Sequence, residues 1–139
     1  GFGLACELAI QQLADYQRHT LMLRTQLETG LATMNATIFG AQSNRLSNTS
    51  FFAMDGIEGE TLVVALDRKG YAVASGSACS SDSTEPSAVL LAMGVQEELA
   101  RGAVRLSLGT QNSAQKVADF LQQLQQEILR LKQLSAMAA

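Results

Sequence analysis

Residues 103–108 read Ala-Val-Arg-Leu-Ser-Leu, and this stretch alternates apolar and polar side chains as a half-buried β-strand does. Its apolar residues fall on one face, whereas Arg105 and Ser107 fall on the other. A strand with this pattern packs one face on a core and leaves the other open. We therefore expect a sheet whose apolar face is covered by helices.

A helix is predicted directly after this strand. Apolar residues recur there at intervals of three and four, which is the spacing of a buried helical face. They are Val117, Leu121, Leu124, Ile128 and Leu131. Asn112 and Gln115 stand before them in the spacing of a capping box, so we expect Asn112 to cap the start of the helix. The pattern is too short for a coiled-coil seam and predicts a helix that faces the core.

A longer helix is predicted at the start of the chain, over residues 1–34, with Gly30 weakening its end. A helix of about 30 residues spans roughly 45 Å, whereas a compact domain of this size has a radius of gyration of about 14 Å. We therefore expect the helix to extend beyond its own domain. The apolar residues of its first half, Phe2, Leu4, Leu8 and Ile10, would then contact a missing domain or a second copy.

Between these helices the sequence predicts short strands at 37–39, 46–54 and 71–74, with a helix at 60–66 between the last two. Pro86 suits the first turn of a further helix, and 97–101 reads as a brief helical turn. This order predicts an α+β domain: a small, mostly antiparallel sheet with helices on one side, preceded by the long helix. The strand–helix–strand run at 46–74 favours a right-handed crossover.

The composition is that of one globular domain, with 139 residues of which 47% are hydrophobic. The net charge of -3 provides no basic surface for nucleic acid, and no apolar run reaches the roughly 18 residues of a membrane span. Two cysteines do not form a disulfide framework, so we expect free thiols in a reducing cytoplasm. His19 is the single histidine and no Cys-x-x-Cys pattern occurs, so no metal site is expected.

The segment 75–86 is small, polar and without periodicity, and we interpret it as a loop that carries Cys79. A thiol in such a loop is accessible, as a nucleophile must be, although the alternative is an ordinary surface cysteine. Arg105 could hold a carboxylate through its guanidinium, or it could be a solvated side chain on an open sheet face. Cys6 lies among apolar residues and is predicted to be a small packing residue.

Several motifs resemble one enzyme family along the whole chain. The loop sequence SGSACSS at 75–81 is similar to the active-site loop of group I (NifS/IscS-like) cysteine desulfurases, which are class V aminotransferases. The resemblance continues at NTSF (48–51), EGE (58–60), EPS (85–87) and VRLSLG (104–109). It implies that residues 1–139 are the C-terminal small domain of a fold-type I pyridoxal-phosphate enzyme.

The resemblance also implies a reaction and a set of partners. Cys79 would attack the sulfur of L-cysteine on pyridoxal phosphate, giving alanine and a persulfide on Cys79. Arg105 would bind the substrate carboxylate. The loop would carry the sulfur to an acceptor, such as an iron–sulfur scaffold protein, and the full-length enzyme would be a cytoplasmic homodimer.

The cofactor lysine of this family, which follows a histidine, has no counterpart in the sequence. Lys69, Lys116 and Lys132 stand in unrelated contexts. We therefore expect no cofactor-binding residue in this chain, a missing N-terminal domain that holds the cofactor, and no activity of the chain alone. Two alternatives stay open: a lyase of the same fold acting on cysteine, cystine or selenocysteine, and a non-enzymatic sulfur-carrier module.

Overall fold

The computed structural model describes residues 1–76 and 85–138 of the chain. Its elements in chain order are α1 (Phe2–Thr33), β1 (Thr37–Ile38), β2 (Thr49–Ala53), α2 (Gly59–Asp67), β3 (Ala74–Ser75), α3 (Ala88–Ala92), α4 (Glu97–Arg101), β4 (Ala103–Ser107) and α5 (Ala114–Ala138). None of these helices has the length and hydropathy needed to cross a bilayer. The described residues also contain no cluster of side chains suited to a metal ion.

The four strands form one antiparallel sheet in the order β1-β2-β4-β3. The alternating strand of the sequence, β4, is central and pairs with β2 on one side and β3 on the other. Because both neighbours run antiparallel to β4, β2 and β3 are parallel to each other, and α2 connects them across the inserted strand. The predicted α+β architecture is therefore confirmed.

The main core lies on one face of the sheet, where α1, α2 and α5 pack. Val104 and Leu106 of β4 and Phe52 of β2 face it, because directly opposite residues of antiparallel strands point to the same side. Fully buried leucines from the three helices complete this core: Leu23, Leu27, Leu31, Leu62, Leu66 and Leu124. The layer of three helices fixes which side of β4 is left open.

A smaller cluster covers one end of the other face. Its buried members are Phe39, Ala53, Leu90, Ala100 and Ala103, contributed by the sheet and by the short helices α3 and α4. The cover ends at the start of β4, so Arg105 and Ser107 are exposed farther along the strand. We call the exposed surface around Arg105 the open face.

The first half of α1 contributes no buried residue, and its buried residues begin at Thr20. Phe2 is 87% exposed and Ile10 is 75% exposed. The helix therefore extends beyond the core, and the partner that would cover it stays a prediction.

Four local predictions were wrong. The helix α1 is not weakened at Gly30, where an added Cβ would lie 2.4 Å from Leu121 Cδ1, so this glycine permits close packing of α1 on α5. The helix α5 begins at Ala114, because Ser113 Oγ accepts from the Lys116 amide while Asn112 Oδ1 accepts from the Gly109 amide.

Pro86 does not open the next helix. It precedes Ser87, whose hydroxyl caps α3 by accepting from the Leu90 amide. The strand predicted at 71–74 is reduced to Ala74–Ser75, because the segment that follows α2 reaches the sheet only there.

Candidate functional site

Arg105 lies in the middle of β4 on the open face, as the alternation of the sequence predicted. It is paired in register with Phe51 of β2 and with Ala74 of β3. None of the salt bridges formed within 1–76 and 85–138 involves its guanidinium. A planar guanidinium in this setting can bind an incoming carboxylate through two parallel hydrogen bonds.

Phe51 provides an apolar wall beside Arg105. Its ring meets the ring of Phe39 edge to face, with 5.3 Å between the centroids. Phe39 is buried in the cluster formed with α3 and α4, whereas Phe51 is only half-buried at the edge of that cluster. The open face therefore combines one cation with an aromatic surface, which suits a small molecule that carries a carboxylate and a less polar portion.

Gly76 fixes where the predicted cysteine loop leaves the sheet. Its amide donates to the Ala103 carbonyl at 2.8 Å, which extends the pairing of β3 with β4 by one residue. An added Cβ at this position would lie 2.9 Å from Ala103 Cβ and 3.3 Å from Phe51 Cζ. Only glycine fits here without displacing a neighbour, which explains why the pairing of β3 with β4 ends on this residue.

Cys79 itself lies outside the described residues, as does most of the predicted loop 75–86. The residues that bracket it, Gly76 and Glu85, are described. Cys79 follows Ala74, the register partner of Arg105, by five residues in the sequence. The pairing of Cys79 with Arg105 in one site therefore stays a prediction.

A polar cluster behind the sheet anchors β2 to α1, and the sequence analysis missed it. The Glu28 carboxylate accepts two hydrogen bonds from Arg45, at 2.7 and 3.0 Å, and one from Ser50 at 2.9 Å. Burial acts to raise the pKa of Glu28, but the hydrogen bonds from Arg45 and Ser50 and the charges of Arg45 and Arg24 bring it below its ordinary value. No local pattern signals this cluster, because its members are 17 and 22 residues apart.

Two residues of α1 hold the end of β4 in place. The Tyr16 hydroxyl donates to the Leu108 carbonyl at 3.3 Å, and His19 Nε2 lies 3.0 Å from the Asn112 carbonyl. His19 is half-buried and joins α1 to the turn that follows β4. Cys6 is exposed on the projecting half of α1, so the prediction that it packs in a core is wrong within this chain.

The described residues do not fit a complete pyridoxal-phosphate site. A lysine is needed to hold the cofactor, yet Lys69 Nζ lies 3.5 Å from Glu127 and Lys116 Nζ donates to the Gln111 carbonyl. Both lysines belong to the helix-covered side of the sheet, away from Arg105. Lys132 is exposed on α5. The open face supplies one of the groups that such a site needs, namely the Arg105 guanidinium, which can bind a substrate carboxylate.

Comparison with known proteins gives a consistent result. The aminotransferase class-V family model matches residues 1–120. The chain is 38% identical over 136 residues to the cysteine desulfurase IscS of Methanosarcina thermophila, covering 97% of this chain and 34% of that protein. It is 34% identical over 137 residues to the cysteine desulfurase NifS of Azotobacter vinelandii, with the same coverage.

Solved structures agree with these relatives. A NifS-like protein superposes with a TM-score of 0.76 at 32% identity, covering 90% of this chain and 31% of the other. A NifS-like protein from Rickettsia africae superposes with a TM-score of 0.78 at 27% identity, covering 91% and 32%. The chain spans about a third of the length of the curated relatives it matches.

Proposed function

Because the chain belongs to the class-V aminotransferase family and is similar to NifS/IscS-like cysteine desulfurases over nearly all of its length, we propose that it is the C-terminal domain of a cysteine desulfurase. The full-length enzyme converts L-cysteine and the thiol of Cys79 into L-alanine and a Cys79 persulfide. The carbon–sulfur bond of the substrate breaks, a sulfur–sulfur bond to Cys79 forms, and the substrate β-carbon gains a proton.

Arg105 binds the α-carboxylate of the substrate in this proposal. The observation that carries it is the exposed guanidinium on the open face. No described carboxylate pairs with it, and it lies directly beside the strand that leads to Cys79. A bidentate pair would fix both the position and the rotation of the carboxylate. Phe51 would exclude water from one side of the bound substrate.

Cys79 is the nucleophile and the sulfur carrier. It stands three residues after Gly76, whose amide donates to the Ala103 carbonyl at the end of the pairing between β3 and β4. Sulfur transfer requires that one thiol contact the substrate first and an acceptor later. A polar loop of this length would allow the thiol to reach both. We propose an iron–sulfur scaffold protein as the acceptor, with the full-length enzyme acting as a cytoplasmic homodimer.

Pyridoxal phosphate is the cofactor of the full-length enzyme in this proposal, and it supplies an electron sink for carbon–sulfur cleavage. We place the part of the enzyme that holds it outside this chain, because Lys69 and Lys116 are engaged on the helix-covered side and Lys132 is exposed on α5. The chain alone is therefore expected to bind no cofactor covalently and to release no alanine from cysteine.

The test is persulfide formation in the full-length enzyme. After turnover with ³⁵S-cysteine, the label should be found on the peptide that contains Cys79, and Cys79→Ala should abolish both the label and alanine formation. Cys6→Ala is the matched control and should retain both, because Cys6 is distant in sequence and exposed on the projecting half of α1. A Cys79→Ala enzyme that forms alanine at the full rate would refute the proposal and favour a lyase that stores no sulfur.

A further inference from the structure

A groove on the helix-covered side of the sheet takes no part in the proposed reaction. It lies between the end of β4, the start of α5 and the segment 69–73, and its volume is about 510 Å³. Its walls are mainly apolar and include Tyr71, Val73, Leu106, Leu108, Val117 and Phe120. We call it the β4 groove; its volume lies in the range of ligand-binding pockets, roughly 300–1,000 Å³.

The hydrogen-bonding pattern of the sheet directs a backbone donor and acceptor into this groove. The Leu108 amide donates to the Asn48 carbonyl of the β2 side at 2.7 Å. Because alternate residues of a strand hydrogen-bond to opposite sides, the amide and carbonyl of Ser107 face the β3 side. Pairing between β3 and β4 ends at Ala74 and Arg105, so Ser107 has no strand partner there among the described residues.

The charged groups near the groove already have partners. Lys69 lies 3.5 Å from Glu127, Lys116 donates to the Gln111 carbonyl, and Asp119 accepts from Gln115. The groove therefore offers an incoming group an apolar floor, with the Ser107 amide and carbonyl at its edge and no described residue paired to them. A charged ligand would gain little here, whereas a β-strand would satisfy both groups of Ser107 and place alternate side chains on the floor.

We propose that the β4 groove binds an extended, uncharged segment with apolar residues at alternate positions, supplied by the remainder of the full-length polypeptide. The inference rests on the proposed function, in which this chain is one domain of a longer enzyme. The relatives are long enough to supply such a segment, since the chain covers only 34% of the IscS relative and 31% of the NifS-like structure. The segment continues the sheet past the point where β3 ends.

Hydrogen exchange at the Ser107 amide tests this inference. Overlapping peptides of about ten residues, the upper end of common strand lengths, are taken from the remainder of the full-length polypeptide and added singly to this chain. One peptide should slow exchange at Ser107 by about tenfold or more. N-methylation of the peptide residue whose amide donates to the Ser107 carbonyl removes that hydrogen bond and should abolish the protection.

Two variants separate strand binding from general stabilisation. Val73→Asp places a charge on the groove wall and should abolish the protection, whereas Val64→Asp, at an exposed valine of α2 outside the groove, should retain it. The inference is wrong if no peptide slows exchange, if Ser107 is already protected without peptide, or if its protection rises with the concentration of the chain alone. Persulfide labelling of Cys79 is measured independently, so this inference can fail while the proposed function stands.

Discussion

At the scale of single residues, the open face depends on the shape of the Arg105 side chain as well as its charge. A guanidinium grips both oxygens of a carboxylate, whereas an ammonium at the same position makes one fewer directed hydrogen bond. Arg105→Lys in the full-length enzyme should therefore raise KM for cysteine about 10-fold to 100-fold, which corresponds to the loss of one charge-assisted hydrogen bond.

Steady-state kinetics of the full-length enzyme measure this effect. The control is Arg18→Lys, because Arg18 is exposed on α1 and paired only with Asp15. Arg105 has no role in substrate binding if its lysine variant has the KM of the control.

Glu28 ties the stability of the domain to pH. The hydrogen bonds of Arg45 and Ser50 and the nearby guanidinium charges outweigh burial and keep the pKa of this carboxylate below its ordinary value of 4.5. The folded state therefore binds the proton more weakly than the unfolded state does. Its contribution to stability is complete above pH 4.5 and is lost as the pH falls through the lowered pKa.

Glu28→Gln should cost about 2–3 kcal/mol of unfolding free energy at neutral pH, because it weakens several charge-assisted hydrogen bonds. The difference between the parent and the variant should shrink as the pH is lowered below 4.5. Urea unfolding of both proteins across this range measures it. A difference that stays constant into the acid range would mean that the carboxylate's charge contributes nothing.

The sequence could predict single residues where a local pattern exposes them, as the alternation around Arg105 does. It could not predict the Glu28 cluster, because Glu28, Arg45 and Ser50 meet only after α1 folds onto β2. It also gave no sign that Tyr16 reaches the carbonyl of Leu108, since that contact joins residues 92 apart.

At the scale of elements, the close approach of α2 to β4 depends on Gly59, which has no side chain. An added Cβ at Gly59 would lie 2.7 Å from the Ala103 carbonyl oxygen and 2.9 Å from that of Arg101. These are backbone atoms and cannot rotate away. Gly59→Ala should therefore displace α2 from β4 and lower the unfolding free energy by about 1–3 kcal/mol, the usual cost of overpacking.

Gly3→Ala is the matched control for Gly59→Ala, because Gly3 is also helical and an added Cβ there meets no atom within 4 Å. It should be neutral or slightly stabilising, since alanine is the better helix former. Urea midpoints of the two variants should differ clearly. Equal midpoints would mean that α2 can move without cost.

The long helices and the central strand could be predicted because their periodicity extends over many residues. The short elements were less accurate because their ends depend on contacts that lie elsewhere in the chain. The strand β3 has only two residues since its length is set by where the segment after α2 meets β4. The cap of α5 was misplaced by one residue, because Ser113 caps the helix and Asn112 accepts from the Gly109 amide instead.

At the scale of the whole molecule, the chain does not cover its own apolar surface. The exposed apolar residues of the first half of α1 include Phe2, Leu4, Leu8, Ile10 and Leu13. So many large apolar side chains exposed on one half of a helix indicate an interface. Helix length alone predicted that α1 would project, whereas its apolar residues do not identify what covers them.

We expect the rest of the full-length enzyme to cover this part of α1. Ile10→Glu should then change the unfolding free energy of the isolated chain by less than about 0.5 kcal/mol, because surface substitutions away from contacts are usually that mild. In the full-length enzyme the same change buries a charge without a partner and should cost about 3 kcal/mol or more. Unfolding of both proteins, with and without the substitution, measures the contrast.

Leu134→Glu provides the comparison, because Leu134 is a 52% exposed leucine near the end of the other long helix. Both variants introduce glutamate, a good helix former, into a helix. The helix propensity of the introduced residue therefore does not account for a difference between their unfolding free energies. If Ile10→Glu and Leu134→Glu have the same effect in the full-length enzyme, the projecting half of α1 remains in solvent there. If Ile10→Glu instead dissociates a dimer of the isolated chain, the surface belongs to a second copy and not to the remainder of the enzyme.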